Sequence, residues 1–210
     1  MKQLIDLSTW NRREHFAFFS AFDEPFHGVV AEVDGARAYA QAKAAGESFF
    51  QRYLHAALRA INQLEALRYR IENGQVVCYD QIHASATLLR PDHTFAFSFV
   101  PFAEQAADFA PGLQREMAAV EQSSGLRLSP DSARLDVIHF SALPWVQFTS
   151  LSHARHFAHP DSVPKISIGR YCRQGEALLL PVSVHVHHGL ADGYHVGLFL
   201  EAFQQELDRE

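Results

Sequence analysis

Apolar and polar positions alternate along "LLLPVSVHVHH", residues 178 to 188. On a strand this pattern puts Leu178, Leu180, Val182, Val184 and Val186 on one face, and Ser183, His185 and His187 on the other. By parity His188 ends the apolar face, where the strand gives way to "GLADG". Pro181 has no N–H for a ladder, which predicts an edge strand or a bulge there. "YRIENGQVVCYD" predicts a hairpin, because Asn73-Gly74 suits a type I′ turn between alternating arms. "SATLLR" and "TFAFSFVPF" predict strands joined by a turn at Pro91-Asp92, and further strands are expected near 135–141 and 165–172. The helical period appears at 36–45 and at 48–66, where Phe50, Leu54, Ala57, Leu58, Ile61 and Leu64 recur at spacings of three and four. Helices are also expected over 103–122 and 193–207, with a polar loop from Ser123 to Ser132. Strands and helices mix without strict alternation. This predicts an α+β fold, one large mixed β-sheet flanked by helices, in a single domain spanning 1–210.

Composition narrows the function. The chain has 210 residues, is 48% hydrophobic and carries a formal charge of −6, so no global positive field recruits nucleic acid or an anionic membrane. No stretch approaches the ~20 apolar residues that cross a bilayer, and "MKQLIDLSTW" lacks the apolar core of a signal peptide. Cys78 and Cys172 are too few for a disulfide framework and lack metal-ligand spacing, which fits reduced thiols in the cytoplasm. Seventeen phenylalanines stand out and predict aromatic surfaces beyond those of an ordinary core.

Candidate chemistry concentrates in "HVHHGLADGYH". His185 and His187 could chelate from one strand face, but a structural zinc needs four ligands and no partner pair appears elsewhere. All three histidines could also be ordinary surface or core residues. His188 differs by its position at the end of an apolar face, next to a glycine-flanked turn. A neutral imidazole with one free ring nitrogen acts as a general base once the other nitrogen is pinned. Asp192, four residues later, stands where a helix begins. It could cap that helix or brace the histidine turn through a distant cation, and spacing does not separate these roles.

These residues resemble a known family. "HHGLADG" fits the His-His-x-x-x-Asp-Gly pattern of chloramphenicol acetyltransferases and of dihydrolipoamide acyltransferase catalytic domains. "WNRREHF", "SALPWVQFTS" at 141–150 and "GRYCRQGEALLLPVSVHVHHGLADGYHVGLF" follow in an order and at separations similar to the type A chloramphenicol acetyltransferases. The resemblance spans essentially the whole chain. Dihydrolipoamide acyltransferases also carry a lipoyl domain, which has no counterpart in these residues.

The resemblance implies acetyl transfer from acetyl-CoA to the 3-hydroxyl of chloramphenicol, an antibiotic-resistance activity without a metal. It implies His188 as general base through Nε2, with Nδ1 held by the residue's own carbonyl. Ser141 would donate to the tetrahedral oxyanion, and an Asp192–Arg12 pair would brace the histidine loop. Arg13 has no such match and reads as solvated. Phe18, Phe19 and Phe95 fall at drug-pocket positions, and Ser167 stands for a threonine that positions a water near the acceptor. Trp145, Arg170 and Tyr171 fall where the family binds coenzyme A; Arg170 stands for a lysine and keeps a cation for phosphate. Ser48 replaces another expected lysine, and "FAHPDSVPKISI" departs from the family pattern. The resemblance also implies a cytoplasmic homotrimer with active sites between subunits. Two alternatives stay open: an O-acetyltransferase for another hydroxylated acceptor, or a silent relative that binds the antibiotic. Joint retention of Ser141, Asp192, Arg12 and His188 weighs against silence, because pure binding needs none of them.

Overall fold

In the computed structural model, which describes residues 1–157 and 161–209, strand β1 (Lys2–Leu4), helix α1 (Arg13–Phe19) and strand β2 (Phe26–Asp34) open the chain. Helices α2 (Ala36–Ala45), α3 (Phe49–Gln63) and the single turn α4 (Glu65–Arg68) follow. The hairpin β3 (Tyr69–Glu72) and β4 (Gln75–Tyr79) turns at Asn73 and Gly74, whose φ values of 49° and 75° match the expected turn. Next come β5 (His83–Leu89), β6 (Phe95–Phe97), α5 (Ala106–Glu121) and a short 3₁₀ turn at Pro130–Ala133. The chain closes with β7 (Val137–Leu143), β8 (Lys165–Gly169), β9 (Cys172–Gln174), β10 (Ala177–His187) and α6 (Gly193–Leu207).

Seven strands form the main sheet in the order β2-β10-β8-β7-β5-β6, with β9 also paired to β10. The β5–β7 and β7–β8 pairs are parallel and the others antiparallel, so the sheet is mixed. Its apolar face presents Ala86, Phe140, Ile166, Val182 and Val184 to a core shared with Leu54, Leu58 and Ile61 of α3 and Phe199 and Phe203 of α6. The opposite face carries a row of small hydroxyls. Thr87, Ser141, Ser167 and Ser183 stand in register across β5, β7, β8 and β10. Side-chain alternation on each strand therefore separates core from chemistry.

Several expectations are corrected. The hairpin does not join the large sheet; with β1 it makes a three-stranded sheet, β1-β4-β3, around a separate apolar cluster of Phe16, Tyr69, Val76 and Leu190. Buried Arg70 ties the two sheets together by donating to the carbonyls of Leu67, Tyr69, Leu135 and Val137 at 2.6–2.9 Å. β10 is interior, flanked by β2 on one side and by β8 and β9 on the other. Pro181 is tolerated because β8 pairs only with Val182 to His185 and β9 only with Ala177 to Leu179, leaving position 181 in the gap between them. The helix expected over 48–66 breaks at Leu64, whose backbone is extended. "TFAFSFVPF" keeps strand pairing only over Phe95–Phe97 and a bridge between Ala84 and Val100. The strand expected over 165–172 breaks after Gly169, and β1, α1 and β2 form where the sequence pattern signals no element.

Candidate active site

Beyond β10 the chain turns sharply through Gly189–Ala191 into α6, and Arg12 holds this turn. Its Nη1 donates to Asp192 Oδ2 at 2.7 Å, and its Nη2 to the His188 carbonyl at 3.2 Å. Asp192 is also the helix cap, since its Oδ1 accepts from the Tyr194 N–H at 3.1 Å and lies 2.8 Å from His195 Nδ1. Cap and brace are thus one residue. Burial works to raise the Asp192 carboxyl, but hydrogen bonds from Arg12 and His195 outweigh it and hold it well below the usual carboxylate range. Arg13 is exposed and among the described residues reaches only Glu14, at 4.0 Å.

The half-buried His188 ring is held by stacking. Phe19 lies 4.0 Å away, centroid to centroid and nearly parallel, and His27 lies at 4.4 Å. The His188 N–H donates to the Pro25 carbonyl at 2.8 Å. Its Nδ1 is buried and has no hydrogen-bond partner among the described residues. The His188 carbonyl, expected to hold Nδ1, accepts from Arg12. His27 is pushed below the ordinary imidazole value, first by burial and then by His188. His187 is buried, accepts the Gly189 N–H on Nδ1 at 3.2 Å, and is pushed down to about 4 by burial and by Arg155. His185 packs against Gly28, where a Cβ would come within 2.2–2.7 Å of its imidazole atoms, and Ser183 Oγ approaches its Nδ1 at 3.1 Å.

Ser141 belongs to a different part of the molecule. Its Oγ lies 3.1 Å from Thr87 Oγ1 on the adjacent parallel strand. It faces a cavity of about 1310 Å³ that Phe95, Trp145, Arg170, Tyr171 and Ser48 also line. Trp145 and Tyr171 are exposed at this cavity, so aromatic surface and a cation stand together there. Ser167, in register beside Ser141, is fully buried, does not line the cavity, and has an Oγ without a partner among the described residues.

The expected residues therefore fall into two groups. Ser141, Phe95, Trp145, Arg170 and Tyr171 share the cavity, whereas His188, Arg12, Asp192, Phe18 and Phe19 do not line it. Phe18, Phe19 and Phe22 instead make an aromatic cluster with centroids 5.1–5.3 Å apart, and Phe18 is 62% exposed. Of the divergent stretch at 157–168, residues 158–160 lie outside the described residues. Sequence reasoning missed Thr87, His139, His153 and Lys165 as cavity residues, and His27 beside His188. Alternation with Ser141 could have located His139; the others depend on cross-strand register or loop packing.

The family model described as chloramphenicol acetyltransferase matches residues 2–204. The chain belongs to the chloramphenicol acetyltransferase family. It is 27% identical to a chloramphenicol acetyltransferase of Escherichia coli, over 97% of this chain and 93% of that protein. It is 26% identical to one of Proteus mirabilis, over 98% and 94%. A solved chloramphenicol acetyltransferase structure superposes with a TM-score of 0.92 at 30% identity, covering 99% of this chain and 100% of the other. A probable dihydrolipoamide acetyltransferase from Listeria monocytogenes shares the fold alone, with a TM-score of 0.68 at 13% identity over 98% of this chain and 94% of that one. As a chloramphenicol acetyltransferase family member the protein is an acyltransferase, built on the coenzyme A-dependent acyltransferase fold.

Proposed function

We propose that the protein transfers the acetyl group of acetyl-CoA to the 3-hydroxyl of chloramphenicol, as a single domain over residues 1–210 that assembles into a cytoplasmic homotrimer and confers resistance. The carrying observation is the division of the site residues. One surface offers the Ser141 hydroxyl inside a cavity with Trp145, Arg170 and Tyr171; another offers the His188 imidazole beside exposed phenylalanines. Each half lacks what the other has. Exposed aromatic clusters of this kind mark surfaces that a partner covers, and a ring of identical chains would bring the two halves together at each junction.

At such a junction His188 Nε2 removes the proton of the acceptor hydroxyl as its oxygen attacks the thioester carbonyl. A C–O bond forms, negative charge moves onto the former carbonyl oxygen, and the Ser141 hydroxyl donates to it. Collapse breaks the C–S bond, and the proton on His188 goes to the departing thiolate of coenzyme A. Stacking on Phe19 and His27 sets the plane of the imidazole, and Arg12 with Asp192 sets the backbone that carries it. The exposed Arg170 cation suits a coenzyme A phosphate, and Trp145 and Tyr171 suit its nonpolar parts. Phe95 lines the acceptor side, with Phe18 and Phe19 closing it from the neighbouring chain. Ser167 holds a buried water with its unfilled hydroxyl, beside the cavity and outside its lining.

Purified enzyme with acetyl-CoA should release free thiol when chloramphenicol is added and none when no acceptor is present. Thiol release with a different alcohol but none with chloramphenicol would keep the transferase and discard the resistance activity.

A further inference from the structure

The end of the cavity next to Ser141 is polar in a way that an aromatic, chlorinated acceptor does not use. One row along the sheet from the hydroxyls, His139 of β7 stands in register with Lys165 of β8, which stands in register with His185 of β10. Two positions from Ser141 on the same strand, His139 shares its face. His139, Lys165 and His153, from the loop after β7, all line the cavity with Ser141. Several hydrogen-bonding groups here are unfilled among the described residues. His153 Nε2 is buried and unpartnered, as is the Oγ of fully buried Ser167, whereas the His139 ring is exposed and free to meet a ligand. Such groups seldom stay unpaired in a native protein, and each is a place for a ligand or a water.

Local charge restricts the ligand. Lys165 is compensated by Asp161 at 2.5 Å and by the Val163 carbonyl at 3.2 Å, and nearby Arg155 by Glu24 at 3.1 Å. Among the described residues at this end, neither cation is left over to hold a carboxylate or phosphate, and neither Asp161 nor Glu24 is left over to hold a cationic ligand. His139 is exposed and lines the cavity, and desolvation, then Lys165, push it down to about 4. Burial, then His185 and Lys165, do the same to His153. At neutral pH both rings are uncharged, each with one N–H donor and one nitrogen acceptor. Among the described residues no group of three or more His, Cys, Asp or Glu could hold a metal ion. Groups that both donate and accept, without net charge, match hydroxyls.

We propose that His139, His153 and Lys165 form a subsite for a polyhydroxylated acceptor, a sugar or polyol group, so that the enzyme acetylates such alcohols as well as chloramphenicol. This rests on the proposed transferase reaction and keeps its balance. The acceptor oxygen bonds to the acetyl carbon, the thioester C–S bond breaks, and the hydroxyl proton leaves with coenzyme A thiol by way of His188.

The test uses the full-length enzyme with acetyl-CoA and, as acceptors, chloramphenicol, methyl glucoside, mannitol, lactate and choline, following thiol release. The sugar or polyol should exceed lactate and choline in kcat/KM by about tenfold or more, the equivalent of one to two neutral hydrogen bonds. His139→Phe and His153→Leu should each lower the ratio of polyol to chloramphenicol kcat/KM about 3- to 10-fold. Turnover of chloramphenicol without any polyol, or variants that leave the ratio unchanged, would overturn the subsite. Calorimetric titration of both polyols separates the two ideas. Binding lost in His139→Phe without turnover of any acceptor sinks the transferase reading alone, whereas no binding and no turnover sinks the subsite.

Discussion

His188 is positioned entirely by neighbours far away in sequence: Phe19 and His27 fix its ring, and Arg12 grips its carbonyl. If it is the general base, His188→Ala should lower kcat by about 10²–10⁴, with chloramphenicol and acetyl-CoA affinities within a few-fold. A variant retaining more than about a tenth of kcat would remove the assignment, since that loss lies below the range for a general base. Arg12 and Asp192 act through this loop, not on substrate. Arg12→Ala and Asp192→Ala should each lower activity and thermal stability, and the double variant should lose less than the sum. Strictly additive losses would show that their 2.7 Å contact carries no energy. Much of this scale is legible in the amino-acid sequence. Residue types at "HHGLADG", "WNRREHF" and "SALPW" point to His188, Asp192, Arg12 and Ser141, but nothing local points to His27, whose role depends on β2 lying beside β10.

Elements carry the same logic in their side-chain alternation. β2 and β10 pack closely only because Gly28 leaves room for the His185 ring, so Gly28→Ala should destabilise the fold by about 1–3 kcal/mol through overpacking. Denaturant unfolding measures this, and an unchanged midpoint would mean that His185 swings away freely. His153 and His187 are each held near 4 instead of the ordinary 6.5, chiefly by burial. Unfolding releases these rings to titrate normally, so between pH 6.5 and 4 the unfolded chain binds more protons than the folded one. Their stabilising contribution is complete above about pH 6.5 and is lost as pH falls toward 4. The thermal midpoint should therefore drop steadily across that window, and His187→Gln should shallow the slope. A flat profile would contradict the burial of these histidines. Apolar periodicity by itself reveals α2, α3, α5, α6, β5, β7 and β10. It fails where pairing partners decide: beyond Phe97 regular pairing with β5 gives way to separate contacts of Ser98 with Ala86 and of Val100 with Ala84, and β8 ends where Gly169 meets Pro181 and Phe148.

At the scale of the whole molecule, the separation of His188 from the Ser141 cavity predicts that activity belongs to the assembly. In a trimer with sites between chains, His188→Ala and Ser141→Ala subunits are each inactive alone. Every mixed ring nonetheless contains one junction that joins an intact His188 to an intact Ser141. Random mixing of equal amounts should restore about a quarter of wild-type activity, given one working site in each mixed ring and three mixed rings in four. Co-expression with two different tags, purified in sequence, isolates the mixed rings, which by themselves should hold about a third of wild-type activity. No recovery in mixed oligomers would place both residues of a site in one chain.

Repeating apolar patterns were enough to indicate an α+β fold, because alternation and turn chemistry are local properties of the chain, and a few clustered motifs carried the resemblance to an acyltransferase family. The three-dimensional arrangement decided the rest. Only strand order puts Thr87 beside Ser141, Lys165 beside His139 and Gly28 under His185. Only packing makes Asp192 both a helix cap and the partner of an arginine 180 positions away. Such contacts join residues distant along the chain, and single-sequence periodicity carries no information about which strand becomes whose neighbour.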